Sequence, residues 1–106
     1  MLCTIAFGLG MLSFVGEPQE SLRYEGATVE ITKNDILVNG PFDKNFSYKE
    51  KGLFIRTTKD GEWTRIETPY EVFLISDAGT LLMTQASIAN EFKAASVSMF
   101  RGRCEK

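Results

Sequence analysis

The sequence predicts an all-β protein, an antiparallel meander that closes into a small barrel or a strongly curved sheet. Short apolar-rich runs recur from Leu22 to the C-terminus, and turn-forming residues separate most of them about every ten positions. A chain of 106 residues is long enough for one such domain with its own core. The predicted strands are Thr28–Thr32, Ile36–Val38, Phe46–Lys49, Leu53–Thr57, Trp63–Ile66, Tyr70–Ile75, Thr80–Thr84 and Val97–Arg101.

The chain opens with an uncharged segment, residues 1–16, which Glu17 and Pro18 end abruptly. Three interpretations stay open: a first buried strand or plug helix of the fold, an export segment, and a membrane anchor. A secretory signal requires a Lys or Arg before its apolar stretch, and none precedes this one. A membrane span needs about 20 apolar residues, more than this segment contains. We therefore expect the segment to belong to the fold, with residues 17–106 forming a single β domain. A membrane partner is expected only if residues 1–16 are an anchor.

The first predicted strands alternate apolar and polar residues. Val29 and Ile31 share one face of their strand, which is typical of a strand with one solvated side. Residues 33–35 form a turn into the next strand. Phe46 and Tyr48 share a face of the strand after that, so we expect both rings to point the same way.

The middle of the chain contains its strongest hairpin signal, Asp60-Gly61, between the predicted strands 53–57 and 63–66. The next predicted strand, Tyr70–Ile75, is largely apolar on both of its faces. Such a run indicates burial on both sides of the strand, or contact with a partner.

The stretch between Thr84 and Ser96 lacks β character. Ile88, Phe92 and Ala95 recur in it at helical spacing. We therefore predict one short helix in this stretch, before the last strand.

The composition argues against catalysis and against nucleic-acid binding. The chain has no histidine, which removes the commonest general base and zinc ligand, and leaves Ser76 and Ser98 without their usual activator. Carboxylates such as Glu67 and Glu71 fit solvated outer faces, and no acidic run has the spacing of a calcium loop. The net charge is −2, with basic residues too scattered to follow a phosphate backbone. We expect no enzyme, no cofactor, no metal and no nucleic-acid partner.

The two cysteines, Cys3 and Cys104, stand at opposite ends of the chain. Their separation excludes the close spacing of a zinc or redox motif. They are candidates for a disulfide that joins the termini, and the alternative is a pair of buried free thiols. Because disulfides persist in oxidising compartments, the first interpretation suits an extracytoplasmic protein, periplasmic or secreted.

Several segments together resemble the small lipocalin-like barrels of the calycin type, over about residues 22–103. The resemblance implies a meander of adjacent hairpins, an arginine of the last strand covering one end of the barrel, and no chemistry. It also implies binding of small apolar molecules or inhibition of another protein. The segments that carry it are Val29–Gly40, Phe46–Ile55, Tyr70–Ile75, Asp77–Met83 and Met99–Arg101.

Four aromatic residues are the candidate contact residues for a ligand or partner: Trp63, Tyr48, Tyr70 and Phe73. Our first hypothesis is a noncatalytic binding module for protein–protein interaction or inhibition, with a second copy of the chain as one candidate partner. The alternative is a carrier of a small apolar ligand inside the barrel. A pocket of several hundred Å³ favours the carrier, and a filled interior with an exposed apolar patch favours the module.

Overall fold

The computed structural model describes residues 1–12, 19–20, 26–40, 44–89 and 94–105. These residues form antiparallel strands joined by turns. The strands are β1 Leu2–Leu12, β2 Gln19–Glu20, β3 Thr28–Ile31, β4 Ile36–Asn39, β5 Phe46–Ser47, β6 Arg56–Asp60, β7 Trp63–Glu67, β8 Glu71–Ser76, β9 Thr80–Ala89 and β10 Ala94–Glu105.

The strands make one antiparallel sheet that curls into a half-barrel, which confirms the predicted all-β meander. Its order is β5-β4-β3-β1-β10-β9-β8-β7-β6, and β2 pairs with β1 beside that path. β1 and β10 form the central pair. On one side of it β3, β4 and β5 pair in chain order, and on the other side β9, β8, β7 and β6 do. The half-barrel therefore has a concave inner face, an outer face, and β5 and β6 at the two ends of the strand order.

Residues 2–12 of the N-terminal segment form a central strand of this sheet, whereas residues 13–16 lie outside the described part of the chain. β1 pairs with β10 from Leu2 opposite Glu105 to Leu12 opposite Ser96, with a register shift after Ile5. Gly102 lies opposite Ile5 at this irregularity, where an added Cβ would come within 2.1 Å of the Thr4 carbonyl oxygen. A glycine is therefore required where the two backbones approach most closely.

The predicted helix before the last strand is not confirmed. Residues 85–89 belong to β9 and residues 94–95 to β10, while residues 90–93 lie outside the described part of the chain. Ser87 pairs with Ser96 and Ile88 with Ala95, so strand pairing satisfies their backbone groups. In the described part of this serine- and alanine-rich stretch, pairing between β9 and β10 prevails over the helix that the spacing of apolar residues predicts.

The Asp60-Gly61 hairpin is present, with Asp60 paired to Trp63. Gly61 has a φ of 62°, as the first central residue of a two-residue hairpin turn requires. The strand before it begins at Arg56 rather than at Leu53. Leu53 instead packs partly buried against the core.

The core lies on the concave face, where inward side chains from all the longer strands meet. Alternate residues of β8 and β9 are buried there, beside inward residues of β1, β3 and β4. Cys3 and Cys104 stand directly opposite each other in the register and are joined by a disulfide. The largest fully buried side chains are Phe73, Ile5, Ile36, Leu81 and Val29.

The lipocalin-like resemblance implies that an arginine of the last strand covers one end of the barrel, but Arg101 does not do so. Its side chain is exposed, and its neighbours in the register are Phe7 and Leu82, which are also exposed. The neighbouring positions in β10, Phe100 and Gly102, are buried. Because side chains alternate along a strand, Arg101 belongs to the outer face.

Candidate functional site

A pocket of about 480 Å³ opens on the concave face of the half-barrel. One group of lining residues is apolar: Ile5, Val29, Val38, Phe46, Met83 and Ile88. A second group is polar or aromatic: Tyr48, Tyr70, Glu71, Gln85 and Ser87. Two of the four aromatic residues predicted as contacts, Tyr48 and Tyr70, thus lie in one pocket.

Glu71 supplies a carboxyl group on the buried wall of this pocket. It is the first residue of β8 and alternates with Phe73 and Ile75, so it points to the concave face. Only 6% of its surface is exposed. The assignment of Glu71 to a solvated outer face is therefore wrong, whereas Glu67 does lie on the outer face, in ion pairs with Arg56 and Arg65.

The turn between β7 and β8 fixes the position of this carboxyl. The Thr68 hydroxyl oxygen accepts hydrogen bonds from the backbone N–H groups of Tyr70 and Glu71, at 3.2 and 2.9 Å. The same hydroxyl donates to Glu71 Oε1 at 3.0 Å. A threonine at this place therefore closes the turn and holds the carboxyl at once.

Tyr48 reaches the carboxyl from the other side of the half-barrel. Its hydroxyl donates a hydrogen bond to Glu71 Oε1, and its ring is buried. Phe46 meets the Tyr48 ring edge to face, with the ring centroids 5.4 Å apart. Two acceptor positions of Oε1 are thus filled by Tyr48 and Thr68.

The second carboxyl oxygen of Glu71 is less well satisfied. Gln85 Nε2 lies 3.5 Å from Glu71 Oε2, at the outer limit of a hydrogen bond. None of the ion pairs formed by described residues includes Glu71. The pocket therefore contains a carboxyl whose contacts in the described part of the chain come from neutral groups.

The segment that carries Tyr48 is anchored by Asp35. Asp35 Oδ1 accepts hydrogen bonds from the backbone N–H groups of Ile36 and Lys49, at 2.7 and 2.9 Å, and Oδ2 accepts one from the Ser47 hydroxyl at 2.6 Å. Burial alone would raise the pKa of Asp35, but these three hydrogen bonds outweigh it and hold the pKa below its ordinary value. The network fixes the chain on both sides of Tyr48.

Among the described residues that line the pocket, Glu71 is the one with a charged side chain. Within the part of the chain that the structure describes, no group of three metal-ligating side chains comes together. The arrangement suits recognition of a ligand: an apolar wall, three aromatic rings and one fixed acceptor.

Trp63, the third predicted contact residue, lies elsewhere. It begins β7 half-buried on the outer face, in an open depression of about 950 Å³ shared with Arg65 and Leu74. Since side chains of β7 alternate, the buried Ile66 marks the opposite, concave side. Trp63 and the concave pocket are therefore on different faces of the sheet.

Phe73, the fourth, is a core residue. Its side chain has 0% exposure. β8 pairs with β7 on one side and β9 on the other, so it is not an edge strand that a partner strand could join. The doubly apolar run of residues 70–75 is explained by burial on the concave face and partial burial on the outer one.

The outer face carries a separate apolar surface on the three central strands. Cross-strand neighbours of β1, β10 and β9 form three rows on it, which we call the outer apolar face. Six of its side chains are large hydrophobics between 36 and 56% exposed. The rows are Phe7-Arg101-Leu82, Leu9-Met99-Thr84 and Met11-Val97-Ala86.

Comparison of the chain with protein-family models, with curated proteins and with solved structures gave no match. Among the described residues no helix is long and apolar enough to cross a membrane.

Proposed function

We propose that this protein is a noncatalytic binding protein that takes a small, largely apolar ligand in the concave pocket. The observation that carries the proposal is the pocket itself, about 480 Å³ with one fixed polar group on a mainly apolar wall. Ligand pockets in proteins typically measure 300–1,000 Å³ and combine apolar walls with a few placed polar groups.

Two further features support this proposal. The lipocalin-like resemblance of residues 22–103 implies the binding of small apolar molecules in a curved antiparallel sheet. The Cys3–Cys104 disulfide ties β1, which supplies the lining residue Ile5, to β10, and suits an oxidising, extracytoplasmic location.

Nile red, a neutral apolar dye whose emission rises in apolar surroundings, tests the proposal. We expect saturable binding by the unmodified protein and loss of binding in Ser87→Trp. Ser87 is exposed at the lining, so an indole there fills the pocket without disturbing the core. Thr58→Trp on the exposed strand β6 is the matched control and should bind the dye normally. Equal binding by both variants would refute the concave pocket as the site.

The outer apolar face favours a second function, self-association. Its nine positions combine a phenylalanine, two methionines and an arginine with no lysine or carboxylate, and interface cores have this composition. Six half-exposed large side chains offer on the order of 500 Å² of apolar surface. With its polar rim this approaches the roughly 800 Å² per subunit of a standard interface. We propose a second copy of the chain as the occupant.

Sedimentation velocity tests the dimer directly. We expect a concentration-dependent dimer for the unmodified protein and a monomer for Met99→Glu, since Met99 stands in the middle row. Phe54→Glu is the matched control, because Phe54 is also exposed but lies outside the outer apolar face. A monomer at all concentrations for the unmodified protein would refute self-association through this face.

A further inference from the structure

We propose that the concave pocket selects amphipathic amines, with the ammonium group held at Glu71 and the aliphatic chain along the apolar wall. This inference rests on the proposed function and adds the chemical class of the ligand.

The first support is the unbalanced carboxyl. Glu71 is 6% exposed, and its hydrogen-bond donors among the described residues, Tyr48, Thr68 and Gln85, are all neutral. Because Tyr48 and Thr68 both donate to Oε1, that oxygen acts as an acceptor. A buried carboxylate without a counter-charge is costly, and an ammonium group supplies both the charge and the hydrogen-bond donors.

The second support is the geometry of the remaining acceptor. Oε1 accepts hydrogen bonds from Tyr48 and, at 3.0 Å, from Thr68, whereas Gln85 Nε2 lies 3.5 Å from Oε2. A donor from a ligand would complete the coordination of Oε2 without displacing Tyr48 or Thr68. Charge-assisted hydrogen bonds of this type are roughly twice as strong as neutral ones.

The third support is the aromatic side chains around the carboxyl. Phe46, Tyr48 and Tyr70 all line the pocket together with Glu71. Aromatic faces attract cations, and the combination of aromatic rings with a carboxylate is used for the recognition of ammonium groups. Lys51 Nζ lies 5.7 Å from the Phe46 ring centroid, within the distance of a cation–π contact.

The apolar wall determines the rest of the ligand. Ile5, Val29 and Met83 are buried at the pocket and offer no hydrogen-bonding side-chain group. An unbranched aliphatic chain attached to the ammonium group matches such a wall, because each buried methylene removes apolar surface from water. A small hydrophilic cation lacks this contribution.

Displacement of Nile red by three ligands of equal chain length tests the inference: n-octylamine, n-octanol and n-octanoate. We expect n-octylamine to displace the dye at a concentration at least about tenfold lower than n-octanol, and n-octanoate to be the weakest. In Glu71→Gln, which keeps the shape of the side chain, the advantage of the amine over the alcohol should fall below about twofold.

The outcomes separate this inference from the proposed function. Failure of the unmodified protein to bind Nile red would refute both. If the unmodified protein binds the dye, but n-octanol or n-octanoate displaces it as well as or better than n-octylamine does, the amine inference is overturned. The proposal of a ligand pocket then still stands. The ranking on the unmodified protein decides this alone, even if Glu71→Gln does not fold.

Discussion

The Tyr48 hydroxyl donates a hydrogen bond to Glu71 Oε1 across the concave face, between residues 23 positions apart in the chain. The contact joins the segment after β5 to the first residue of β8, strands that are not neighbours in the sheet. A half-barrel built from consecutive hairpins has few such links between its two sides, so this hydrogen bond both shapes the pocket and ties its walls together.

We expect Tyr48→Phe to lower the free energy of unfolding by about 1–3 kcal/mol, because a buried carboxyl loses a donor. Urea denaturation followed by fluorescence measures the loss. Tyr70→Phe is the control, since Tyr70 is 57% exposed, and it should cost little. Equal stability of Tyr48→Phe and the unmodified protein would contradict the structural role of this contact.

Reduction of the Cys3–Cys104 disulfide should lower the melting temperature clearly. The bond closes a loop with a sequence separation of 101 residues, for which chain entropy in the unfolded state predicts roughly 4–5 kcal/mol. Thermal unfolding with and without dithiothreitol measures the change, and mass spectrometry after thiol alkylation reports the oxidised fraction. An unchanged melting temperature after full reduction would contradict this prediction.

Trp63 and Phe73 should behave differently when truncated. We expect Phe73→Ala to cost about 3–5 kcal/mol of folding free energy, because it leaves a large cavity in the core. Trp63→Ala should cost clearly less, since its side chain is half-buried on the outer face. It should also leave Nile red binding unchanged, because Trp63 does not line the concave pocket. A Trp63→Ala variant that folds but fails to bind the dye would contradict this placement.

The contribution of Asp35 to stability should depend on pH. Its folded pKa lies below the ordinary value of 3.8, so its ionised form is stabilised in the folded state. The unmodified protein should have a higher free energy of unfolding than Asp35→Asn. This difference should be complete above pH 3.8 and decline as the pH falls below it. Urea denaturation of both proteins at a series of pH values measures it. A stability difference that stays constant into strong acid would show that the hydrogen bonds of Asp35 do not depend on its charge.

Local sequence pattern was sufficient for most of the strands, because alternation and turn chemistry are encoded within a few residues. Val29 in β3 and the Gly61 turn are examples. The ends of β9 and β10 were missed, since their serine- and alanine-rich residues are held by pairing with each other across the hairpin rather than by β propensity. Only long-range pairing identifies such strands.

The site was harder to predict than the fold. Tyr48 and Tyr70 were predicted as contacts because aromatic residues are frequent contacts, and both line the concave pocket. Glu71 was assigned to solvent although it alternates with Phe73 and Ile75. That alternation was the available signal for a buried carboxyl. The pairing of Glu71 with Tyr48 depends on how the two sides of the half-barrel curl toward each other, which the spacing of residues along the chain does not specify.

The most direct test of the ligand pocket is a nitrogen–proton NMR titration of the unmodified protein with n-octylamine. We expect saturable shifts at amides of residues that line the concave pocket, including those of Ile5, Glu71 and Met83, with unchanged signals at Trp63 on the outer face. Shifts confined to the outer face, or no saturable shifts at all, would refute the concave pocket as the ligand site.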